Sequence, residues 1–430
     1  MNILKLSASA LVIRVFGTFI MAANLVFVTR NLALTEVGMF ALTSSFLFFG
    51  KYLGPLGLDQ LALRDLSSSS YDYQHRQTLE RKLLVNVTVV SFAVVFFSLC
   101  VMILWDIYSK SDYFEYYAIF VYCAVVYVCS ALVGVLCGIL RARGSVIISI
   151  AGDAVVPQLT TLFMLSYFVY FSNLSVEVSC CAVAIGAVMS VLFQFMRLRR
   201  YWSGVFFVGT SDVKAFNARD ALSVWFFQLL NFGQSRFQIY FASAFLGFTY
   251  VALIEVSTKV ALVPTMSTWA IGTVIGPKLA KHSRSPEEIL KYIIFSVVFG
   301  GGVSLTCLVL FYIFGNYILV NVLGSAYNEA YSPSIILLFA VLVNSVGGVF
   351  ATYLVMSKRE SIASFFTGLG LICGVLVALV NTHFGLGATG VAIGAALAIV
   401  VRDVGIPVFL VFTKDPVILV ILRRVSELLR

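Results

Sequence analysis

Eight ionisable side chains sit where the surrounding sequence is almost continuously apolar: the cations Arg14, Lys51, Arg236, Lys259 and Arg402, and the carboxylates Asp153, Glu255 and Asp403. A cation at the middle of a bilayer costs about 2.5–3.5 kcal/mol on insertion scales, so five facing lipid would cost about 12–18 kcal/mol. An inward, watered or paired location is therefore expected. At 1.5 Å per residue, Arg14 and Lys51 lie roughly 10 Å from the ends of their segments and can snorkel, whereas Arg236, Lys259 and Arg402 lie about 15 Å or more from either end. Glu255 precedes Lys259 by one helical turn, the spacing of an ion pair. Arg402 and Asp403 are adjacent, so they are expected to project in different directions and to need separate partners. A surplus of interior positive charge suits an anionic ligand such as a phosphate or diphosphate head group. The three carboxylates allow two readings: they neutralise the cations, or one of them binds a proton or sodium ion during a working cycle.

The elements that must hold these groups follow from composition. Of 430 residues, 60% are hydrophobic and only 11% charged, and the mean hydropathy is +0.99. Soluble domains carry about a quarter charged residues, so a water-facing globule is excluded, and disordered, coiled-coil and disulfide-stapled classes with it. The apolar runs are long and do not alternate, which points to membrane-spanning helices rather than a barrel. Spans are expected at 8–30, 37–58, 83–105, 116–140, 146–171, 178–196, 220–246, 249–277, 292–315, 334–356, 361–380 and 388–412.

The reading is an all-α polytopic membrane protein of about twelve transmembrane helices. Residues 1–196 and 220–412 form two six-helix lobes related by a pseudo-two-fold along the membrane normal. A cytoplasmic connection, 197–219, joins them, and an amphipathic cytoplasmic tail, 413–430, follows. A weak internal echo at an offset of 214 aligns Phe27, Leu32, Thr35 and Val37 with Phe241, Leu246, Thr249 and Val251. Gly134/Gly138, Gly272/Gly276 and Gly390/Gly394 have the spacing of close helix contacts, as do the runs Gly300–Gly302 and Gly347–Gly348. Pro55, Pro157, Pro264 and Pro407 are expected inside helices, each freeing a carbonyl.

Charge sets the topology. Of the 29 Lys and Arg residues, 22 fall in segments on the side of the two termini, and the opposite loops hold only Arg30 and Lys110. That asymmetry predicts cytoplasmic N- and C-termini. It also accounts for the net charge of +9 through topology and anionic-lipid contacts, without nucleic acid. The apolar stretch from Leu6 to Thr29 is too long for a signal-peptide core and is expected to remain as the first helix. All eight cysteines fall within spans, where they read as small packing residues, and His75, His282 and His383 are scattered, so no metal site is expected. The chain carries no GxxxxGK[ST] loop, no hydrolase elbow and no redox motif; neither a cofactor nor enzymatic activity is expected. A membrane-embedded glycosyltransferase or polymerase would need a larger loop outside the membrane.

Across its length the chain resembles the polysaccharide-transporter family of the multidrug/oligosaccharidyl-lipid/polysaccharide exporter superfamily, the Wzx-type repeat-unit flippases. The resemblance is carried by RVFGTFIMAANLVFVTRNLALTEVGMFAL (14–42), LGPLGLDQLALRDL (53–66), SRFQIYFASAFLGFTYVALIEVSTKVALVP (235–264), PKLAK (277–281), GSAYNEA (324–330) and FGLGATGVAIGAA (384–396). It implies two lobes around a cavity that opens alternately to either side of the membrane. The implied substrate is an undecaprenyl-diphosphate-linked oligosaccharide for O-antigen or related lipopolysaccharide assembly, with membrane lipids, a polysaccharide polymerase and a chain-length regulator as further partners. In the related lipid II flippases, cations on the first, second and eighth helices gather around the diphosphate; Arg14, Lys51 and Lys259 occupy comparable helices here. The chain departs from that group in having twelve spans rather than fourteen, and Lys where Arg is common. A multidrug exporter of the same superfamily is the alternative; its cavity should carry surplus carboxylates for organic cations.

Overall fold

The structure, a computed structural model, describes residues 3–57, 73–109, 117–171, 174–201, 218–281, 285–357 and 359–420. The expected amphipathic end of the tail at 421–430, most of the 53–66 stretch, residues 202–217 of the connection and the Lys51 side chain lie outside the described residues. Within them every long element is a helix, the arrangement in which a chain in hydrocarbon satisfies its own backbone.

In chain order these are α1 (Ile3–Asn31), α2 (Leu34–Leu53), α3 (Tyr73–Ser109), α4 (Tyr117–Ala142), α5 (Val146–Phe171) and α6 (Val176–Arg199). The second set is α7 (Ala218–Phe245), α8 (Phe248–Lys281), α9 (Pro286–Ile318), α10 (Tyr331–Met356), α11 (Glu360–His383) and α12 (Gly387–Phe412). A π turn (Leu319–Leu323) and a 3₁₀ turn (Ser325–Ala330) link α9 to α10. All twelve expected spans thus contain a long helix. Among the described residues ten helices meet a length and composition criterion for crossing a membrane; α7 is not one of them, because polar residues interrupt it. In α7 these are Gln228, Asn231, Gln234, Ser235, Arg236 and Gln238. The α1–α2 break, from Asn31 to Leu34, recurs 214 positions later between Phe245 and Phe248.

The chain divides into two compact units, 16–225 and 226–430 together with 1–15. In the first, α3, α4 and α6 share a core built on Leu83, Val135, Leu136, Ile139, Leu140 and Leu198. Pro157 acts as expected on α5. Lacking an N–H, it frees the carbonyl one turn earlier, and the helix widens into a π turn over Ala151–Val155. Gly152 in that turn lies against Gln194 of α6, where a Cβ would meet the Gln194 Cγ at 2.5 Å. Ser190 donates to the Gly152 carbonyl. On the other side Asn24 of α1 donates to the Gln158 carbonyl at 3.0 Å.

Pro55 departs from its expectation. Helix α2 ends at Leu53, and Pro55 lies in the following turn, where Leu56 and Gly57 take φ of 49° and 78°. A left-handed pair cannot continue a helix, so the turn closes before the expected boundary at 58.

In the second unit, α8–α12 surround a core of Ile271, Ile275, Ile289, Leu354, Ile406 and Leu410. Two glycine contacts set its helix spacing. Gly394 of α12 and Gly374 of α11 meet back to back, a Cβ on either falling 2.5–2.6 Å from the other's carbonyl oxygen. Gly347 of α10 lies directly on the Asp403 backbone of α12. Gly272 and Gly302 face open space, so part of the expected glycine set does not mark a contact.

Candidate functional site

The close approach at Gly347 brings α12 within reach of Asn344, one turn earlier on α10. Asn344 Nδ2 donates to Asp403 Oδ2 at 2.8 Å. Arg402 closes on the same carboxylate, with Nε to Oδ1 at 2.7 Å and Nη2 to Oδ2 at 3.0 Å. Its remaining nitrogen reaches α7, donating to Asn231 Oδ1 at 2.9 Å and Gln234 Oε1 at 2.7 Å. Gln234 in turn donates to the Ala398 carbonyl of α12.

This corrects the expectation that Arg402 and Asp403 need separate partners. Adjacent Cα–Cβ bonds do diverge on a helix, but the long arginine side chain folds back over its neighbour, and the amides of α7 hold it there. The result is a bidentate pair, the strong form of a charge-assisted contact. Asp403 is fully buried and Arg402 retains 12% exposure.

A second cluster spans α7 and α8. Glu255 Oε1 meets Lys259 Nζ at 3.1 Å, the expected one-turn pair, and Oε2 lies 3.6 Å from an Arg236 nitrogen. The side chains of Lys259 and Arg236 are 16% and 11% exposed, and that of Glu255 only 5%. The cations therefore form the outer layer and the carboxylate the floor. Arg14 is buried on α1, in the same unit as both clusters. Lys51 and Asp153 belong to the other unit, Lys51 near the end of α2 and Asp153 in the π turn of α5.

Thus the expected residues resolve into one satisfied pair and one three-member cluster with a net positive charge. The amides Asn231, Gln234 and Asn344 were not among the expected site residues. A signal for them exists: Gln228, Asn231, Gln234 and Gln238 recur at helical spacing along one face of an otherwise apolar segment. Three of the four are buried.

No protein-family model and no curated protein matches the sequence. Solved structures do. The chain superposes on a Vibrio cholerae MATE transporter, VcmN, with a TM-score of 0.71 at 14% identity, covering 96% of this chain and 97% of the other. An outward-facing multidrug resistance MATE family transporter of the MOP superfamily gives 0.66 at 14% identity, with 94% and 93% covered. An inward-facing form gives 0.61 at 15%, with 93% and 96% covered. The fold is the two-lobed MATE-type helical fold, present over nearly the whole chain.

Proposed function

We propose that this chain is an alternating-access membrane transporter for an amphipathic substrate. The observation that carries this is the MATE-type fold over 96% of the chain. Its support is that relatives in fold are described as transporters in inward-facing and outward-facing forms. Neither the fold nor the two clusters supply catalytic geometry, which favours transport over an enzyme.

Two readings of the substrate follow, each with its own support. Export of drugs or organic ions is favoured by the solved neighbours, described as multidrug resistance transporters. Translocation of a lipid-linked oligosaccharide is favoured by charge and by the sequence resemblance. In the unit 226–430 with 1–15, the mid-span cations Arg14, Arg236, Lys259 and Arg402 face only two mid-span carboxylates, Glu255 and Asp403, among the described residues. A positive surplus repels organic cations and offsets the dehydration of a diphosphate. In this second reading Arg14, Lys51, Arg236 and Lys259 bind the diphosphate of an undecaprenyl-linked unit crossing the inner membrane from the cytoplasmic leaflet, while its polyprenyl tail stays in lipid.

Deleting the gene separates them. In the flippase reading surface polysaccharide is lost and the lipid-linked unit accumulates on the cytoplasmic face. In the exporter reading surface polysaccharide is normal and sensitivity to organic cations rises. Neither phenotype, combined with no transport by reconstituted vesicles, would overturn the transporter proposal.

A further inference from the structure

The two buried charge clusters of the second unit are built in opposite ways. At Asp403 both carboxylate oxygens accept charge-assisted or amide hydrogen bonds: two nitrogens of Arg402 at 2.7 and 3.0 Å and the Asn344 amide at 2.8 Å. The guanidinium is itself held by Asn231 and Gln234. An incoming anion would have to replace five matched contacts, several of them charge-assisted, so this pair is a fixture.

Glu255 is held loosely by comparison. Oε2 accepts no hydrogen bond among the described residues, and Arg236 approaches it only to 3.6 Å. The contact with Lys259 is a single one at 3.1 Å, between residues on the same helix. Lys259 and Arg236 are also more exposed than the carboxylate, at 16% and 11% against 5%. Lysine is also a flexible point charge, able to swing between acceptors without breaking a planar fork. Tyr240 on α7 lies within electrostatic range of Arg236, and the 3₁₀ turn packs on α8 two residues past Glu255, where Ser257 donates to the Ala330 carbonyl at 3.2 Å.

We propose that Glu255 is a resident counter-anion: it occupies the site formed by Lys259 and Arg236 when no substrate is bound, and a phosphoryl head group displaces it from those two cations. This rests on the anionic-substrate reading above and deepens it. The carboxylate neutralises two costly buried cations in the empty state. It also sets a threshold, because only a ligand carrying more negative charge than one carboxylate, or more acceptor oxygens, gains by the exchange. A diphosphate meets both conditions. A neutral sugar or a lone carboxylate does not, so the same residue gives selectivity.

The test uses the purified full chain in lipid nanodiscs with farnesyl diphosphate as probe. Removing the competitor with the isosteric Glu255→Gln should tighten binding by about tenfold, and Lys259→Gln and Arg236→Gln should weaken it by a similar factor. Asp403→Asn should not tighten it. In the wild-type protein, the infrared difference spectrum on binding should contain a glutamate carboxylate band that Glu255→Gln removes. Even if that variant fails to fold, the absence of any carboxylate band from the wild-type spectrum counts against the inference. Equal or weaker binding by Glu255→Gln, or no carboxylate band, would overturn the inference while leaving the anionic reading intact. If wild-type protein and all variants bind no diphosphate, both are overturned together. Equal tightening by Asp403→Asn would reduce the effect to net charge and overturn the specific role of Glu255.

Discussion

At the level of single residues, a buried charge is tolerated here only with a partner, and the quality of the partnering separates structural charge from exchangeable charge. Arg402 and Asp403 are the structural case. Removing one member of a buried pair leaves the other uncompensated and typically costs about 3–5 kcal/mol, whereas replacing both with apolar residues of similar size is often close to neutral. Arg402→Met should therefore lower the melting temperature in detergent strongly, and Arg402→Met/Asp403→Leu should recover most of the loss. The recovery will be incomplete, because Asn231, Gln234 and Asn344 are left without acceptors or donors at a cost of about 1–3 kcal/mol for such a group. If the double variant is as unstable as the single one, the pair does more than neutralise itself. For coupling, Asp403 is spoken for by its own neighbour, and a transport rate unaffected by pH and sodium in vesicles of the wild-type protein would remove carboxylate coupling at Asp153 and Glu255 as well.

Among the helices, the positions of these charges come from small residues elsewhere. Gly347 lets α10 lie against the Asp403 backbone, and that contact delivers Asn344 to the carboxylate. A Cβ at 347 would collide with a carbonyl that no rotamer change can move. Gly347→Ala should cost about 1–3 kcal/mol, in the range of overpacking, and Gly302→Ala, which faces open space, should not; thermal unfolding of the two variants checks the contrast.

The ends of the helices show a second regularity. After α4, Arg143 closes on the fully buried Glu80 at 2.6 and 2.9 Å and lies 5.1 Å over the Tyr201 ring beyond α6. After α10, Arg359 closes on buried Asp415 at 2.6 Å, beyond α12. Arg359 follows Arg143 by 216 positions, close to the 214 of the helix breaks. The turn after α4 is thus pinned to α3 through Glu80 and to the segment beyond α6 through Tyr201, and the turn after α10 to the segment beyond α12 through Asp415, each with one arginine on one buried carboxylate. Arg143→Ala and Arg359→Ala should each destabilise their own unit, read as faster proteolysis at the adjoining turns.

Much of this was legible in the sequence, and the parts that were not have physical reasons. Helix number and position follow from runs of apolar residues, because a membrane leaves the backbone no other solution. The pairing of Glu255 with Lys259 follows from a one-turn spacing on one helix. The Arg402–Asp403 pair is not legible from adjacency, because helical geometry fixes where a side chain starts and not where a long one ends. The amides of α7 stand out by periodicity but not by charge, so a search for buried ions passes over them. Pro55 was placed inside a helix because composition continues past Leu53 without a break, while the backbone turns on Leu56 and Gly57.

For the whole molecule, the open question that physics addresses most directly is orientation. Each unit runs through six helices, so the starts of α1 and α7 and the ends of α6 and α12 are expected on one side. Within each unit a clamp ties two helix ends: the turn after α4 meets Tyr201 beyond α6, and the turn after α10 meets Asp415 beyond α12. The topology expected from charge puts 22 of the 29 Lys and Arg residues on the side of the two termini, because translocation of such short basic segments is disfavoured. Reporter fusions after Arg76, Lys214 and Lys281 should therefore read cytoplasmic, and fusions after Lys110 and Glu177 should read external. A reversal at two or more of these sites would invert the membrane map and place the clamps outside the cell. It would also undo the proposed direction of transport, since the leaflet from which a diphosphate head group reaches Lys259 and Arg236 depends on it.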